Sequence, residues 1–239
     1  MSQLPRAVIL LFVVFVSTSA QQTPTNQTDD YLSWTAKQAT QIGMKWRMGG
    51  RVGWRKAGAR AKWDPFYSGV YYYDLRGTLM TPDAIRAAAR LEQLRRHLTD
   101  DETRALVTEA EKVDGLVAYI ELNPREGSGV IPLDWHATLR PKGAKDDSPL
   151  AIAGTNTPSL RHIKALTRVG LREYQYDVFW VVFPVRDKQG KPIWETPPDA
   201  IELVVDINDM RGRVSWRVND SFRQRLVGST QQSHSLRRY

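Results

Sequence analysis

Apolar and polar positions alternate most regularly across residues 172–218. Tyr174, Tyr176, Val178, Trp180, Val182 and Pro184 interleave with Glu173, Gln175, Asp177, Phe179, Val181 and Phe183. Period two places successive side chains on opposite faces of a strand, and from Phe179 onward both faces are apolar, so both are expected to be covered. Ile201, Leu203, Val205 and Ile207 predict a further strand, and Val214, Trp216 and Val218 another. Turn residues at 187–192, 196–199 and 208–212 divide the stretch into four β-like segments. This is the pattern of an antiparallel β core.

The period changes over 81–113. Thr81 has the chemistry of an N-cap and Pro82 that of a first helical residue. Ile85, Ala88, Ala89, Leu91, Leu94 and Leu98 then fall on one stripe at helical spacing. A second helix opens at Thr99, where Glu102 completes a capping box, and buries Leu106, Val107, Ala110 and Val113. The two form a helical hairpin. Arg86, Arg90, Arg95 and Arg96 line its first helix, but the second is acidic, unlike a helix that reads DNA.

Upstream, Ile42, Met44, Trp46 and Met48 alternate with Gly43, Lys45 and Arg47, then Val52 and Trp54 continue the alternation. Gly49-Gly50 between them predicts a two-residue hairpin turn. Further strands are expected over 66–79, 116–122, 130–139 and 150–153, with a short helix over 157–170. The fold class expected is α+β, mainly β: an antiparallel β-sandwich-like core with a two-helix hairpin inserted at 81–113. It occupies one β-rich domain, 31–226.

The ends read differently. Arg6, the ten apolar residues Ala7 to Val16, and the small residues Ser17 to Ala20 form the three parts of a secretory signal peptide, 1–20. Ten apolar residues are about half the length that spans a bilayer. Residues 21–30 read as a flexible leader and 227–239 as a flexible tail. The expected location is outside the cytoplasm, periplasmic or extracellular, with no transmembrane anchor after cleavage. The absence of cysteine excludes disulfides, thiolate metal sites and cysteine nucleophiles.

The net charge of +8 favours anionic partners. Between Lys37 and Lys62 there is no acid, while Trp residues are interleaved with the cations. The candidate binding face is therefore Lys45, Trp46, Arg47, Arg51, Trp54, Arg55, Arg60 and Lys62, and its expected partner is an anionic envelope polymer or another envelope protein. Export argues against nucleic acid. No cofactor and no metal is implied, because His97, His136, His162 and His234 lie in no ligand spacing and phosphate-loop and nucleophile-elbow motifs are absent. The sequence is thus read as an exported, non-enzymatic binding or structural module. The alternative is an envelope-polymer hydrolase using Glu121 and Asp134, with or without His136. That alternative requires the three to converge in one pocket.

Overall fold

The structure is a computed structural model, and it describes residues 30–54, 71–124, 131–167, 169 and 177–227. The expected signal peptide, leader and tail, with Arg55, Arg60 and Lys62, lie outside the described residues. Among those described, no helix is long and apolar enough to cross a membrane.

Among the described residues, nine strands form one antiparallel sheet: β1 (Arg47–Trp54), β2 (Tyr71–Leu79), β3 (Leu116–Pro124), β4 (His136–Pro141), β5 (Ile152–Ala153), β6 (Thr155–Asn156), β7 (Asp177–Phe183), β8 (Ala200–Ile207) and β9 (Met210–Arg217). Their order is β5-β4-β8-β9-β1-β2-β3-β7-β6. The two ends of this sheet are consecutive in sequence. β5 pairs with β4 and β6 pairs with β7, and only Gly154 separates them. Gly154 donates its N–H to the Ala137 carbonyl at 2.9 Å, and Thr157 donates to Trp180 at 2.7 Å. The Trp135 and Phe179 rings meet edge to face at 4.6 Å across the same seam. The sheet therefore curls into a nearly closed barrel. This corrects the sandwich expected from sequence: closure removes most free edges and needs no second sheet.

Inward residues from opposite sides share one core. Val52, Leu75, Ile120, Leu139, Ile152, Val181, Leu203 and Val214 come from eight of the strands and belong to a single buried cluster. The outer face of β3 and β7 is apolar as well: Val117, Tyr119 and Trp180 pack under the helical hairpin, α2 (Pro82–Arg96) and α3 (Asp100–Glu111). That is why β7 is apolar on both faces. The hairpin has the caps its sequence predicts. Thr81 accepts from the Ala84 N–H, and Thr99 and Glu102 form the reciprocal capping box.

Other expectations fail for identifiable reasons. Residues 36–44 form a helix, α1 (Ala36–Met44), whose last turn takes in Ile42 to Met44, where strand alternation was expected to begin. Thr35 and Gln38 make a complete capping box, and Ala39 and Gly43 pack inward. Gly49 and Gly50 do not turn; both lie inside β1. A side chain at Gly50 would put its Cβ 2.6 Å from the Arg213 carbonyl oxygen, so close packing inside the barrel explains glycine there. The strand expected from 130 begins only at His136. Residues 193–195 form no strand; Trp194 is buried instead, donating its indole N–H to Leu150 at 2.8 Å. The short helix expected over 157–170 resolves into two 3-10 turns, Pro158–His162 and Lys164–Leu166. After β9 a helix not read from sequence, α4 (Asp220–Val227), starts at Asn219, whose side chain accepts from the Phe222 N–H at 3.0 Å. Phe222 and Leu226, four residues apart, plug the barrel core.

Candidate functional site

A cleft of about 710 Å³ opens where α1, the start of β1, the first turn of α2, the end of β9 and the start of α4 come together at one mouth of the barrel. Each lining group is placed by a local device. Lys45 is the C-cap residue of α1, and Trp46 is the first residue beyond it. The Trp46 carbonyl accepts from the Trp216 indole N–H at 2.8 Å and from the Leu79 N–H at 3.0 Å, fixing the junction between α1 and β1. Phe222 supports Trp46 from below, with ring centroids 5.9 Å apart. Trp34 is anchored by its carbonyl, which accepts from Arg90 Nε at 2.7 Å. Asp83 projects from the first turn of α2, where the helix dipole favours a carboxylate.

The cationic side is built by Lys45, Lys142 and Arg217, all exposed. None makes an ion pair among the described residues. Lys142 leads the loop between β4 and β5, and an ionic relay ties that loop to the barrel. Asp146 accepts from Arg140 and from Arg211, each at 2.5 Å. Arg140 also pairs with Glu202 at 2.9 Å, and Arg211 with Asp206 at 2.6 Å. Hydrogen bonds from Arg211 and then Arg140 pull the Asp146 carboxyl down to about 2. Asp206 is the chief reason the Arg211 pKa is raised, so that cation stays charged. The relay thus fixes the chain on either side of Lys142: Arg140 before it, Asp146 after it.

The structure divides the candidate binding face. Lys45 and Trp46 reach the cleft, and Trp46 is 7% exposed, more wall than platform. Arg47 points to the outer face of the sheet, where its guanidinium grips Glu121 through Nε at 3.0 Å and Nη2 at 3.2 Å. Arg51 is exposed on that same outer face, opposite Asp74. Trp54 is 44% exposed, at the far end of β1 and on the other face from Arg51. The strand thus separates the tryptophans from the arginines by parity.

Glu121, Asp134 and His136 do not converge. Glu121 is buried against Arg47 on the outside of β3. Asp134 sits exposed in a turn, and His136 lies on the outside of β4, opposite Asp206. Among the described residues no group of three His, Cys, Asp or Glu side chains could hold a metal. The missed cleft residues, Lys142, Arg217, Trp216 and Asp83, come from distant parts of the chain. Only the repeated neighbourhood of a tryptophan and a cation, in 45–46 and 216–217, hinted at two of them.

Comparison with protein-family models, curated proteins and solved structures finds no match to this chain.

Proposed function

We propose that the protein is an exported, non-enzymatic binding module that holds an anionic polymer of the cell envelope at the barrel mouth. The supporting observation is the convergence of Lys45, Lys142 and Arg217 on one aromatic-walled cleft, with no ion pair among the described residues. Some cations elsewhere on the surface meet carboxylates, as Arg86 meets Glu111 and Arg223 meets Asp199, whereas these three share one cavity. Three like charges facing one cavity repel each other, and a bound anion removes that cost.

Retention on a dextran sulfate column tests the reading. Wild-type protein is expected to elute earlier as salt is added, because exposed charges are screened. Replacing Lys45, Lys142 and Arg217 together with Ala removes about 0.6–3 kcal/mol of binding if each exposed pair contributes about 0.2–1 kcal/mol. An equal-charge control, with Lys112, Lys164 and Lys188 replaced, should elute near wild type. Identical elution of the two triple variants would sink the assignment to the cleft.

A further inference from the structure

Resting on that reading, we propose that the cleft takes an acidic glycan: a ligand carrying carboxylates together with sugar hydroxyls. Three observations narrow the ligand. First, the cavity of about 710 Å³ is far larger than a single inorganic anion, and lies within the roughly 300–1,000 Å³ range of organic ligand sites. Second, the cleft is not uniformly cationic. Asp83 lines it, makes no ion pair among the described residues, and faces the same space as Lys45, Lys142 and Arg217. A carboxylate there repels any anion, and polyphosphate or a DNA backbone brings it no hydroxyl to offset that repulsion. It accepts hydrogen bonds from hydroxyls, which a sugar supplies. Ser215 adds a further hydroxyl, able to donate and accept. Third, the indoles of Trp46 and Trp216 are buried, Trp216 to 2% exposure, and the Trp216 N–H is already spent on the Trp46 carbonyl. They close the floor of the cleft, and Trp34, half-buried in the same lining, is the indole left with surface for sugar C–H groups. Asp83 is thus the specificity-determining residue, and the three cations supply the attraction.

The experiment follows tryptophan fluorescence and calorimetry with full-length protein and four probes: tetragalacturonate, its methyl ester, short-chain polyphosphate and oligo(dT). Wild-type protein should bind tetragalacturonate about tenfold more tightly than each of the other three, equivalent to about 1.4 kcal/mol. Asp83→Ala should close that gap from both sides, weakening the glycan and strengthening polyphosphate. Asp83→Asn, which keeps an acceptor and loses the charge, should strengthen polyphosphate while retaining more glycan affinity; it also serves if the alanine variant does not fold. Equal or tighter binding of polyphosphate or oligo(dT) to wild type, with both Asp83 variants indistinguishable from it, overturns the glycan assignment but leaves anion binding at the cleft standing. Failure of wild type to bind any of the four at low salt overturns both.

Discussion

Arg47 belongs to the basic stretch that invites a binding role, yet the fold uses it inside the structure. Its side chain is 7% exposed and that of Glu121 is 1%. The two-point contact crosses over β2 and joins β1 to β3, with Arg76 standing opposite Glu121 in the register. Replacing Glu121 with Gln leaves a buried guanidinium without its anion and beside a second arginine. Breaking such a pair costs about 3–5 kcal/mol. For a chain of this size each kcal/mol lowers Tm by about 2–4 °C, so the loss should be about 6–20 °C. Arg47→Met should cost less, because Glu121 keeps Arg76 as a neighbour. The double variant Arg47→Met with Glu121→Leu should recover most of the loss, since well-packed apolar groups can replace a buried pair at little cost. Urea unfolding followed by circular dichroism, run as a double-mutant cycle, gives the coupling directly. The reasoning fails if Glu121→Gln costs under about 1 kcal/mol, as an exposed pair would, or if the double variant loses the sum of the two singles.

Three further outcomes are expected. The folded-state Asp146 carboxyl is depressed below its ordinary value of 3.8 to about 2 by Arg211 and Arg140. Its contribution is therefore complete above about pH 4 and lost as pH falls through 2. Carboxyl NMR titration should find that midpoint, and Asp146→Asn should speed amide exchange in the 142–151 loop at neutral pH. At the seam, a Cβ on Gly154 would sit 2.3 Å from Val181 Cγ1 and 2.6 Å from Phe183 Cε1; Gly154→Ala should cost about 1–3 kcal/mol in urea unfolding through overpacking. Phe222→Ala should cost about 3–5 kcal/mol, because its ring is fully buried in the barrel core; a change under about 1 kcal/mol would show that α4 does not plug the barrel.

The sequence by itself determined the parts whose cause is local. The helical hairpin was legible because Thr81, Pro82, Thr99 and Glu102 act within one turn of their own position. The strands over 200–217 were legible from alternation, and that over 116–122 from a short apolar run, covered on both faces, that ends at Asn123-Pro124. The same rules existed at Thr35–Gln38 and at Asn219–Phe222, but period-two coincidences over 42–48 and the polar tail after Val218 obscured them. The tertiary structure alone decided that the sheet closes. Closure depends on residues 152–156 bridging β4 to β7, a pairing between segments far apart in sequence, and no local propensity encodes it. It alone decided that Gly50 is spacing and not a turn, because its reason is the Arg213 carbonyl on the neighbouring strand β9. And it alone assembled the cleft. Lys45, Asp83, Lys142 and Arg217 are separated by tens of residues, and become neighbours only because the ends of β1, β2, β4 and β9 meet at one mouth. A charge pattern along a chain reports composition; which charges face the same space is a property of the closed sheet.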